Sequence, residues 1–270
     1  MSDVLVLQKL LAAPVSNAIV EFGFDQVGGF VAAAAEAVTL RTPAALLAAY
    51  GVDAAPEFAD VVRFEQPRLA TFSTPGDAPR PWPTFSNGFL LGDSLARVWT
   101  ISRTRYSYGA EYWRIRADGE QKRLSRYEGV ARGWAGAQKW SPPTAMVGTL
   151  TRWQGREFFA DVVADTVLLT ALGVAAPAGF EQVHSQVWSG TAPLTDCEVF
   201  ERIYTAELDG VPVRLLRTGN GAAEILLLSD DPDFAARVGA GLIEPGVYEL
   251  IVDPSRLTHL QGVENQLVPR

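Results

Sequence analysis

The sequence predicts an α+β protein: a helical N-terminal segment followed by mainly antiparallel β structure. Three observations carry this. Residues 1–67 are rich in Ala, Leu and Val with helix-capping signals. Residues 68–84 form a connector with Pro75, Pro79, Pro81 and Pro83, a composition that fits neither a helix interior nor a central strand. Beyond it, strand-like runs alternate with Gly-containing turns, and in the C-terminal half they recur as a pair of related units.

In the N-terminal region, residues 4–13 read as a short apolar helix stopped by Pro14. Residues 16–38 have helical composition interrupted by Gly28 and Gly29. Thr42 is placed to cap a helix that starts at Pro43 and closes at Gly51, and residues 56–62 add another turn or two. After the connector, residues 85–142 form an aromatic and basic β region. Strands are expected at 88–91, 96–102, 106–116 and 121–127, with Asp118-Gly119 as a tight turn. The Gly- and Trp-rich stretch 130–140 has no clear assignment, and Pro142-Pro143 marks the next boundary.

Two units follow, 143–200 and 201–270. Residues 149–161 (TLTRWQGREFFAD) match 204–216 (YTAELDGVPVRLL), each a strand, a turn at Gln154-Gly155 or Asp209-Gly210, and a second strand. A third apolar strand comes at 166–172 and again at 224–228. Residues 180–188 lead to Leu194-Thr195-Asp196, and 247–252 lead to Leu257-Thr258-His259. The second copy carries an insertion, 230–241, which reads as a helix capped by Asp231 with Pro232 at its first position. A three-strand meander, a fourth strand, a helical turn and a short fifth strand resemble an SH3-like barrel in element order. The aromatic pairs of the peptide-binding SH3 surface have no match. The resemblance implies two tandem SH3-like small β barrels.

Charge is unevenly spread. The net charge is −8, yet residues 145–270 hold 8 Lys/Arg against 17 Asp/Glu, while residues 1–144 are nearly balanced. An acidic half repels nucleic acid and anionic membrane and favours a basic protein partner; it also simply keeps a protein soluble. There is one cysteine, so no internal disulfide forms. The N-terminus lacks a basic n-region, and no long uncharged apolar run occurs, so a cytoplasmic location without membrane attachment is expected.

Catalytic patterns are weak. Two histidines and one cysteine leave no zinc-like spacing, and no metal or cofactor is expected. Cys197 lies between Asp196 and Glu198, which disfavour a thiolate, so it reads as a packing residue. No phosphate loop and no G-x-S-x-G elbow is present, and Thr218–Gly221 reads as a hairpin loop.

The basic middle segment is the unusual feature. Arg103, Arg105, Tyr112, Trp113, Arg114, Arg126 and Trp134 interleave cations with aromatics. Such a set suits a phosphate-bearing small molecule, single-stranded nucleic acid or a protein hot spot. It equally suits a β meander with core aromatics and outward cations. The expected function is a non-enzymatic intracellular binding module. An immunity- or antitoxin-like protein neutralising a basic partner is one concrete version.

Overall fold

The computed structural model describes residues 5–48, 53–73, 89–91, 94–96, 98–229, 231–244 and 247–267. Gly51, Gly88 and the connector from residue 74 lie outside the described residues. The structure is mostly antiparallel β, 52% strand against 14% helix, so the β part of the expected class dominates.

In chain order the first part contains β1 (Val6–Leu10), helix α1 (Ala13–Phe22), β2 (Gln26–Ala33), helices α2 (Ala34–Ala37) and α3 (Pro43–Ala48), β3 (Phe58–Glu65) and β4 (Phe72–Ser73). A small hairpin, β5 (Phe89–Leu91) and β6 (Ser94–Ala96), precedes β7 (Val98–Arg105), β8 (Glu111–Arg116) and β9 (Gln121–Arg126). Seven of these strands form one sheet in the order β4-β7-β2-β1-β3-β8-β9. All its pairings are antiparallel.

The helical reading of residues 1–67 is therefore corrected: three of its stretches are strands. Residues 6–10 are strand, and Pro14 opens α1 instead of ending a helix. The stretch 16–38 splits into α1, the strand β2 and the single turn α2, and residues 58–62 belong to β3. The cause is burial. β2 is buried at all but its first residue, because one face meets α1 and the other meets the second sheet. A strand covered on both faces loses the period-2 alternation that marks a half-exposed one. The cap at Thr42 is present, with its hydroxyl accepting from the Ala45 N–H at 3.2 Å.

The second sheet holds β10 (Thr149–Trp153), β11 (Arg156–Val163), β12 (Thr166–Leu172), β13 (Glu181–His184) and β14 (Val187–Pro193). A 3-10 turn (Leu194–Asp196) leads to β15 (Glu198–Leu208), β16 (Val211–Gly219) and β17 (Ala222–Leu227). Helix α4 (Pro232–Val238), β18 (Gly241–Glu244), β19 (Val247–Val252), a second 3-10 turn (Pro254–Arg256) and β20 (Leu257–Gln266) complete it. The expected helix in the insertion is α4, and the Asp231 carboxylate accepts from the Asp233 N–H at 2.9 Å. Both expected hairpin turns form, with Gln154 (φ 50°) and Asp209 (φ 51°) left-handed ahead of Gly155 and Gly210.

The two units run the same pairing scheme. In the first, β10 pairs β11, β11 pairs β12, β12 pairs β14, β14 pairs β13, and β10 pairs the start of β15. In the second, β15 pairs β16, β16 pairs β17, β17 pairs β19, β19 pairs β18, and β15 pairs β20. The expected pair of closed SH3-like barrels is not seen: no sheet closes. The eleven-residue β15 is the last strand of one unit and the first of the next, so it carries a single open sheet across both.

The apolar core is divided to match. Phe30 and Ala32 of β2 pack with Leu208, Val213, Ile225, Phe234 and Val252, joining the first sheet to the second unit. Val15 and Ile19 of α1 share a core with Leu7, Val31, Val62, Phe64 and Tyr106. Phe158, Leu169 and Val199 form the core of the first unit, and Leu46 of α3 covers Val61 and Ile115.

Candidate functional site

The basic–aromatic residues singled out from the sequence do not converge on one pocket. β7 points its arginines inward. Arg103 is 2% exposed and pairs with Glu249 of β19. Arg105 donates to the carbonyls of Val147 at 2.6 Å and Thr149 at 2.7 Å, tying the first sheet to the strand that starts the second. Tyr112 is buried and its hydroxyl donates to Asp60 at 2.7 Å. Burial and Asp60 push that phenol up to about 12. Arg114 grips the same carboxylate with Nε at 2.8 Å and Nη2 at 2.9 Å, and its guanidinium lies 3.6 Å from the Phe58 ring centre. Trp113 is half-buried and donates to Glu111 at 3.1 Å. Trp134 is buried, donates to the Phe24 carbonyl at 2.9 Å and meets Tyr106 edge-on at 5.4 Å. Arg126 is exposed, its guanidinium 5.9 Å from the Tyr108 ring centre.

Between the sheets runs a seam of buried charge that sequence reading missed. Lys9 of β1 pairs with Glu244 of β18 at 3.0 Å, both nearly inaccessible. Burial pulls the Lys9 ammonium below its ordinary range, against the opposing pull of Glu244. Arg214 pairs with Glu201 at 3.0 Å, and Glu201 also accepts from the Gly148 N–H at 3.2 Å. Asp25 accepts from the Tyr127 hydroxyl at 3.0 Å, and burial raises its pKa. Asp161 accepts from the Val130 N–H at 2.8 Å, and burial raises it to about 6. The charges are paired or hydrogen-bonded across elements, as buried charge requires, although Glu201 Oε2 and the Nε atoms of Arg103, Arg105 and Arg214 are buried without a hydrogen-bond partner. Lys9 and Arg103 gave no local signal, because their partners lie in the other half of the chain.

The seam constrains its backbone. Gly148 has φ +82°, and a Cβ there would sit 2.8 Å from the Arg105 Nε. Gly148→Ala is expected to cost about 2–4 kcal/mol, combining left-handed strain with displacement of the Arg105 side chain. Denaturant unfolding of the two proteins measures it, and a change below ~1 kcal/mol would show that Arg105 is not held there.

Two surface features remain. The first is an open cleft of about 420 Å³, lined by Glu128, Arg132, Lys139, Trp140 and His184 among others. It is formed by the Gly- and Trp-rich stretch that had no assignment and by β13. Trp140 and His184 meet with their rings tilted by 34° and ring centres 5.5 Å apart, and Arg132 is paired with Glu181. Cys197 is half-buried, and burial followed by Asp196 pushes its thiol up, so it offers no thiolate. No group of three or more potential metal ligands occurs among the described residues.

The second is the free edge of β20. β20 pairs with β15 from Phe200↔Gln266 to Leu208↔Leu257, and no described strand pairs its other edge. Residues 258–264 are exposed, including Leu260 and Val263. The Leu267 N–H donates to the Val199 carbonyl at 2.8 Å. By antiparallel alternation, Gly262, Glu264 and Gln266 then turn their N–H and C=O groups outward. Arg152 and Arg202 stack on Phe200 and bind Glu157 and Glu264, holding β10, β11, β15 and β20 in register. Among the described helices, none is long and apolar enough to cross a membrane. Comparison of the chain with protein-family models, with curated proteins and with solved structures found no match.

Proposed function

We propose that the protein is a non-enzymatic binding module whose acidic C-terminal half engages a basic protein partner, in the manner of an immunity or antitoxin protein. One observation carries this reading: the second sheet presents carboxylates in excess of cations. Arg152, Arg202, Arg217 and Arg256 each already lie against a carboxylate. Asp165, Asp196, Asp231, Asp233 and Asp253 are exposed with no ion pair among the described residues. Such a surface steers a basic partner and makes the complex sensitive to salt.

The test is capture of partners by the tagged protein from the lysate of its source cells, at low and at moderate salt. A stoichiometric basic protein that elutes as salt rises is the expected result. Absence of any stoichiometric partner at either salt overturns the reading. A second reading rests on the cleft. Arg132, Lys139 and the Trp140–His184 ring pair suit a phosphate-bearing small molecule, and a thermal-shift screen of nucleotides and sugar phosphates tests it.

A further inference from the structure

We infer that the basic partner is bound as an extended segment that adds a strand to the open edge of β20. This rests on the binding-module reading and assigns its site.

Among the described residues, the five edge strands of the two large sheets differ in how they are guarded. β4 has two residues, and β13 and β18 have four each, too short to template another strand. β9 has six residues but carries Lys122, Arg123 and Arg126. β20 has ten residues with no Lys, Arg or Pro. Its one irregularity is a bulge at His259 (φ 51°), opposite the Thr205/Glu207 register shift, which leaves residues 261–266 regular. An unguarded edge of this length is what strand addition uses, with main-chain hydrogen bonds giving affinity and alternate side chains giving selectivity.

Charge selects the occupant. Glu198, Glu207 and Glu264 reach solvent on β15 and β20; Arg152 of β10 binds Glu198 and Glu264, Arg202 binds Glu264, and Glu207 lies 3.0 Å from His259, so three carboxylates stand against two guanidiniums. A strand with lysine or arginine at alternate positions meets this field favourably. A second copy, itself carrying a net charge of −8, meets it unfavourably. The outward groups of Gly262, Glu264 and Gln266 would pair with the incoming main chain.

The probe is a fluorescent peptide of alternating lysine and threonine, compared with one of alternating glutamate and threonine. The intact protein is expected to bind the basic peptide and to protect the Gly262, Glu264 and Gln266 amides from hydrogen exchange. Glu264→Pro removes an outward N–H without touching a β15 ladder bond and is expected to weaken binding about tenfold or more. Glu264→Gln keeps the N–H and is expected to retain most of the affinity. Should the proline variant fail to fold, Val263→Lys is expected to weaken binding and Val263→Glu to preserve it.

Equal binding of the peptide to Glu264→Pro, or binding without amide protection, overturns the edge as the site while leaving the binding-module reading standing. Binding of neither peptide overturns the inference. So does a dimer broken by both Val263 variants, which would make a second copy the occupant. Failure of the lysate capture at both salts, by contrast, removes the broader reading on which the inference rests.

Discussion

Arg214→Ala is expected to destabilise the protein by about 3–5 kcal/mol, the cost of leaving one member of a buried ion pair alone. Arg214 and Glu201 are 3% and 1% exposed and lie 3.0 Å apart on adjacent strands of the second sheet. Removing the guanidinium strands a carboxylate whose remaining partner is the Gly148 N–H. It also takes a donor from the Met146 carbonyl at 3.3 Å. A domain is stable by only about 5–15 kcal/mol, so this one change consumes a large share. Adding Glu201→Gln to Arg214→Met removes the charge and keeps an acceptor for Gly148, and is expected to recover most of the loss. Denaturant melts of the single and double variants measure both. A loss below ~1 kcal/mol for the single change would mean that water reaches the pair.

Asp161→Asn is expected to stabilise the protein at neutral pH by about 1–3 kcal/mol and to flatten its stability profile in mild acid. The Asp161 carboxyl is buried, and burial raises its pKa to about 6, with the Val130 N–H and Arg105 pulling the other way. In the unfolded chain an aspartate titrates near ~3.9. Between these values the folded protein holds a proton that the unfolded chain has lost. Stability is therefore full below about pH 4, falls as pH rises through about 6, and is constant above. Asparagine keeps an acceptor for Val130 and carries no charge. Asp25 is buried nearby and also raised, so a shallower slope of the same sign persists in the variant. Melts across pH 4–8 decide it. A wild-type profile that rises with pH over that window contradicts the assignment.

What the sequence disclosed was local. Asp209-Gly210 and Gln154-Gly155 specify their hairpins within four residues, so the repeated meander could be read directly. Asp231 and Pro232 announced α4 for the same reason. β1 and β2 were hidden because both of their faces are covered, which leaves no alternation, and because Ala and Gly at 28–37 mimic helical composition. Arg103 and Arg105 resembled a ligand-binding array because their pattern resembles that of surface cations. Glu249 and the 147–149 backbone, which occupy them, are set only by tertiary folding. The open edge of β20 was equally silent, since an edge is defined by an absent neighbour and not by the strand's own residues.

The strand β15 belongs to both β units at once. Side-chain direction alternates along a strand, so a single inserted residue near Arg202 would turn the inward residues of one unit outward while leaving the other in phase. Each unit thus acts as a phase reference for its neighbour. Melting either one removes half of the template on which the other is laid down. The pair should unfold in one transition, and insertions should survive in the hairpin turns of either unit but not in the strand they hold in common.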